Sequence, residues 1–278
     1  MWPIPFQIFL EAVYAFSSRL PSGPTVLSNV LIVIACVGAA ISFLHLVTRT
    51  SSGPSRKESN DFTGAVVAVI GTTYAVLLAF MLSGVWNMFQ QAQINAEQEA
   101  NDLCNVFRIS AQLQGPVRQT IQDLARGYAQ NAIQSEFPSM ANDQVPPRGG
   151  QMIAQMWRAA GEVQAKSAEE TGALGELMST LQRLTEHRRI RILQSHEMLP
   201  GILWLVLIAG GIITVAAACF FGVPNFRFHL LQIVVLSFLI SLVLVAIADI
   251  DRPYQGDVKV SPDGFVFALH TFADEGPK

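Results

Sequence analysis

Two carboxylates, Asp249 and Asp251, stand at the end of a long apolar run in "VAIADIDRPYQGDV" and are followed by arginine, proline and glycine. A pair of acids could share general acid and base work, but no nucleophile with an orienting partner lies nearby in the sequence. A second charge group faces the same question: Glu97 and Glu99 follow one apolar run, and Arg188, Arg189 and Arg191 precede another. If the two helices carrying them pair antiparallel, these clusters meet as ion pairs; in an oligomer they could instead form a charged ring that selects ions. His187 and His196 with Glu186 and Glu197 do not have the spacing of a metal site. The remaining signal is weaker chemically and longer in extent. Ala68, Thr72, Ala75, Ala79, Ser83 and Asn87 recur at steps of three and four, which lines small or weakly polar groups along one helix face. Such a stripe either lets helices approach closely or, around an oligomer axis, replaces part of an ion's hydration, with Thr72, Ala79, Ser83 and Asn87 as the pore-lining candidates.

The chain that must position these groups has 278 residues, 14% of them charged and a net charge of -3, with a mean hydropathy of +0.37. That average divides sharply. Residues 25–47, 64–89, 200–222 and 230–250 are nearly free of charge, and each approaches or exceeds the roughly 20 residues a helix needs to cross the hydrocarbon core. All four read as transmembrane helices. Residues 1–24 contain Glu11 and lack a basic start, so they make a poor signal peptide. With Trp2, Phe6, Phe9 and Tyr14 they read as an interfacial segment. The three cysteines are dispersed, which argues against disulfides and cysteine-held metals. No basic run with interleaved aromatics points to nucleic acid, no enzyme motif is present, and no cofactor is implied.

Residues 90–199 carry most of the charge and read as a helical region. Neither glycine nor proline interrupts the chain from Val85 to Gln114, so the second transmembrane helix is expected to continue to about residue 114. After Gly115-Pro116, Val117, Ile121, Leu124 and Tyr128 give one apolar face, Ile153, Met156, Trp157 and Ala160 a second, and Leu174, Leu177, Leu181 and Leu184 a third. Residues 138–150 read as a loop, and the third helix is expected to flow into Pro200, which is well tolerated at a helix start. The fold class is therefore an all-α membrane protein, four transmembrane helices with a helical cytoplasmic bundle between spans two and three. Residues 251–278 form a tail whose weak alternation around Pro262-Asp263-Gly264 suggests a short strand pair. Four spans put both termini and the bundle on one side, and the basic residues near span ends favour the cytoplasm.

Several segments together resemble the bestrophin-like domain family, whose members are mostly bacterial membrane proteins. They are "SNDFTG", "GTTYAVLLAFMLSGVW", "EQEAND", "RRIRILQSHEMLPGILWLVLIAGGIIT" and "DIDRPYQGDVKVSP". The resemblance runs from about Glu58 to Ser261. It implies importance for Asn60, Asp61, Gly64, Tyr74, Trp86 and Glu99, and for Arg191, Pro200, Trp204, Asp251, Pro253 and Gly256. Bestrophins, to which the family is distantly similar, are pentameric anion channels with four membrane segments per subunit and cytoplasmic termini. The resemblance thus implies a homo-oligomer, a pentamer on that plan, in the bacterial inner (plasma) membrane. No counterpart of the aromatic pore neck or the acidic calcium clasp of true bestrophins is visible.

Two classes of function follow. One is an oligomeric ion channel or channel-like transporter in the lipid bilayer, passing anions rather than cations. The other is a non-conducting scaffold or sensor that binds a protein partner through residues 117–186, consistent with spans that hold no strong internal charge. Asp251 is expected to be held by an arginine, with Arg191 or Arg189 first and Arg252 as the local alternative, so that it buttresses span four rather than catalyses.

Overall fold

The computed structural model describes residues 26–50 and 60–275, the side chain of Asp61 excepted, and these are helical with no strand among them. The helices are α1 (Val26–Thr50), α2 (Asn60–Ser110), α3 (Pro116–Asn131), a π-helix (Ala132–Glu136) and α4 (Phe137–Met140). After them come α5 (Arg148–Gly161), α6 (Ala168–His196), α7 (Gly201–Cys219), α8 (Phe226–Ile250) and α9 (Asp263–Glu275). Four of these, α1, α2, α7 and α8, are long and apolar enough to cross a membrane. At about 1.5 Å per residue, α2 is roughly 75 Å long, more than twice the hydrocarbon thickness. The expected interfacial segment, residues 1–24, and the residues joining α1 to α2 lie outside the described residues.

The chain divides into two compact units. In the first, made of Met198–Asp251 and the described residues up to Asn87, α1 runs along α8 through Ala40, Leu44, Val47 and Ile233, with Cys219 of α7 in the same cluster. A second cluster joins Val85 of α2, Leu207 of α7 and Ile247 of α8. The outer surface of this unit is apolar: Ile34, Val69, Phe80, Ile212, Val235 and Leu239 are all exposed. A surface of this kind is stable against lipid and costly against water.

In the second unit, Met88–Glu197 with residues 252–275, α2 meets α3 through Glu99 and Tyr128, α6 through Glu99 and Arg191, and α9 through Phe107 and Phe272, while α5 packs on α3 and α6. Leu103, Phe107, Ile121, Tyr128, Met156 and Leu181 are completely or almost completely buried there. Of the leucine seam, Leu177, Leu181 and Leu184 are fully buried. Three expectations are corrected here. Residues 138–140 and 148–150 are helical rather than loop, and α6 stops at His196 instead of running into Pro200, which becomes the cap of α7. The expected strand pair is instead α9, whose Phe265, Ala268 and Phe272 share a buried helical face. Ser261, Pro262 and Asp263 suit a helix start as well as a turn, and the period of these apolar residues decides for the helix.

Candidate functional site

Thr72, Ala79, Ser83 and Asn87 all lie on the exposed side of α2, together with Ala68 and Ala75. The opposite side of the helix is where the first unit is packed. Tyr74 is buried and donates its hydroxyl to the Leu207 carbonyl at 2.8 Å. The close approach needs glycines on α7: a Cβ on Gly210 would stand 2.5 Å from Cδ2 of Tyr74, and one on Gly211 3.0 Å from its hydroxyl. The packed face thereby fixes which residues α2 turns outward. Bulkier apolar side chains, Val69, Val76 and Phe80, flank the small ones on the exposed side.

The end of α2 near Asn60 is held by a pair of bonds. The Asn60 side-chain nitrogen donates to the Gly222 carbonyl at 3.1 Å, and the Gly222 N–H donates to the Asn60 side-chain oxygen at 2.9 Å. Gly64, one turn further, leaves 3.5 Å between a hypothetical Cβ and Phe221. The carboxylate of Asp251 sits at the start of α7, where it accepts from the Leu199 N–H at 2.8 Å and from the Trp204 indole at 3.4 Å. An acid at the end of α8 is thus placed at the positive end of the preceding helix, α7, which offsets the unfavourable end of its own. Pro200 caps α7, and Trp86 is exposed.

The charged groups of the second unit form a closed cluster. Arg191, fully buried, donates from Nε and Nη2 to the two oxygens of Glu99 at 2.6 and 3.0 Å. Its Nη2 also donates to Glu136 at 2.6 Å and its Nη1 to the Met140 sulfur at 3.1 Å. Arg188 donates to the other Glu136 oxygen at 2.7 Å, and the Tyr128 hydroxyl to Glu99 at 2.5 Å. Phe137 and Phe265 place their rings 5.2 and 6.0 Å from the Arg191 guanidinium carbon. Two acids and two arginines balance, and the fork geometry satisfies each carboxylate. Burial alone would push the Glu136 carboxyl up, but the guanidiniums of Arg191 and Arg188 outweigh it and hold it below its ordinary value. Burial, followed by the neighbouring Glu99, raises the Tyr128 hydroxyl well above its usual range, so it remains a donor.

This arrangement revises the expected roles of the arginines. Arg191 meets Glu99 and Glu136, and Arg189 lies exposed, paired with Glu186 one turn away. Full burial also takes Glu99 and Arg191 out of contact with water, so neither forms an ion-selecting ring. The motif "DRPYQG" fastens the chain after α8 into the second unit. Arg252 donates to Gln255 at 3.1 Å, the buried Gln255 donates to Asp143 at 2.7 Å, and Pro253 accepts from the Val260 N–H at 2.8 Å. Gly256, at φ 79°, takes the left-handed turn this path needs. Glu136, Tyr128, Phe137 and Phe265 were not singled out for this cluster by the sequence. Glu136 is brought in by the π-helix, whose extra residue per turn rotates the following side chains and leaves no periodic trace.

The four long apolar helices and the lipid-compatible exterior of the first unit define a multi-pass helical membrane protein. Within that class, the bestrophin-like domain matches residues 34–265, most of the chain, and the protein belongs to the bestrophin-like domain family. Comparisons with curated proteins and with solved structures return no match.

Proposed function

We propose that this protein is an ion channel or channel-like transporter that works as a homo-oligomer, on the bestrophin plan a pentamer, and passes anions in preference to cations. The observation that carries the reading is the exposure of Thr72, Ala79, Ser83 and Asn87 on the side of α2 opposite its packed face. In a single chain these small groups enclose nothing; around a symmetry axis they line a path. The charge-free stretch from Phe62 to Ala96 supports anions, because hydroxyl and amide hydrogens can solvate an anion where no carboxylate repels it. On this reading the bilayer is a cell inner membrane, and the second unit and both termini lie in the cytoplasm. No catalytic step and no cofactor are assigned.

The test is chloride flux from liposomes containing the purified full chain. Wild type is expected to pass chloride, with Ser83→Leu and Asn87→Leu reducing the flux while assembly is unchanged. A monomer in mild detergent, or a stable complex with another protein and no flux for any ion tried, would remove this reading in favour of a scaffold or sensor.

A further inference from the structure

The end of the first unit at which α1 stops and α8 starts carries cations that the channel reading does not use. The rings of His45 and Phe226 meet edge to face with centroids 5.5 Å apart, and this contact fixes the two helix ends side by side. Arg49 lies one turn beyond His45 on α1, and Arg227 follows Phe226 on α8, so both arginines belong to the helix ends that the ring pair joins. Both arginines are exposed, and neither forms an ion pair with another described residue. Nearby acids do not neutralise them from their own helices: α1 contains none, and the one acid of α8, Asp249, is at its opposite end. The surface just below them is apolar, with Leu46 57%, Phe228 55% and Leu231 58% exposed.

Cations directly above exposed leucine and phenylalanine stand at headgroup depth once the apolar band is in lipid. We propose that Arg49 and Arg227 form a docking patch for the phosphate of an anionic phospholipid whose acyl chain lies against Leu46 and Leu231. Charge complementarity selects an anionic headgroup over a zwitterionic one, whose own ammonium group would face the arginines. The continuity of basic and apolar surface selects a lipid over a soluble phosphate, since the phosphate alone would gain only two solvated contacts.

Thermal unfolding of the full chain in an uncharged detergent tests this, with phosphatidylglycerol or phosphatidylcholine added at equal mole fraction. Phosphatidylglycerol is expected to raise Tm more than phosphatidylcholine does. The excess is expected to fall by at least half in the double variant Arg49→Gln, Arg227→Gln, and to persist when both arginines are changed to lysine. Glycerol 3-phosphate and inorganic phosphate are expected to give no shift. Equal effects of the two lipids, an undiminished excess in the glutamine variant, or a full effect from phosphate alone would each overturn the assignment. None of these readouts depends on ion flux, so failure here and failure of the channel reading are distinguishable.

Discussion

Arg191 and Glu99 form a two-pronged pair at 2.6 and 3.0 Å with both side chains fully buried, joining α6 to α2 inside the second unit. Removing one member of such a pair leaves an uncompensated charge, which costs about 3–5 kcal/mol. Arg191→Leu is therefore expected to unfold or strongly destabilise the protein, because it leaves Glu99 and Glu136 facing each other in the core. Arg191→Lys is expected to rescue little, since an ammonium cannot reproduce the fork to both acids. Thermal unfolding in detergent measures both.

The second prediction concerns pH. Glu136 has a lower pKa folded than unfolded, so between the two values the unfolded chain binds more protons and stability rises with pH. Its contribution is fully present above the ordinary carboxyl value of 4.5 and is lost as pH falls through the folded value. Unfolding midpoints of wild type are expected to drop on acidification below that point. Glu136→Gln is expected to be less stable at neutral pH and to show a shallower acid limb.

A third prediction separates two glycines of α5. A Cβ at Gly149 would lie 2.1 Å from Oε1 of Glu136, while one at Gly161 meets nothing within 4 Å. The Glu136 carboxylate cannot swing away, because Arg188 and Arg191 hold both of its oxygens. Gly149→Ala is expected to cost about 1–3 kcal/mol by overpacking. Gly161→Ala is expected to be neutral or slightly stabilising by the same unfolding measurement.

Asp251 gives the fourth. Asp251→Ala deprives the Leu199 N–H and the Trp204 indole of their acceptor, which is expected to cost about 1–3 kcal/mol. Asp251→Asn keeps an acceptor oxygen and loses the charge at the start of α7, so it is expected to fall between Ala and wild type. The Trp204 environment, followed by fluorescence, reports whether the contact survives.

The four spans were legible because lipid imposes one requirement, a long run without charge, that sequence displays directly. The pairing of Glu99 with Arg191 was legible as two clusters of opposite sign at comparable distances from their spans. Its completion by Glu136 was not, because a π-helix alters register without altering composition. Asp251 was legible as a residue needing a partner, but the backbone N–H of Leu199 and the Trp204 indole that it accepts from were not, because nothing in the sequence shows that the end of one span meets the start of another. The tail failed for a different reason. Ser-Pro-Asp-Gly starts a helix as readily as it makes a turn, and the packing of Phe265 and Phe272 against Tyr128 and Phe107 resolves the choice through residues far away in sequence.

The central claim is that the exposed small residues of α2 line an ion path. Chloride efflux from liposomes containing wild type and Ser83→Leu, with matched protein content and oligomeric state, tests it most directly. The account predicts measurable wild-type efflux and a reduction of about tenfold or more in the variant, equivalent to roughly 1.4 kcal/mol at the barrier. Equal efflux from the two proteins, or none above empty liposomes from either, would contradict it.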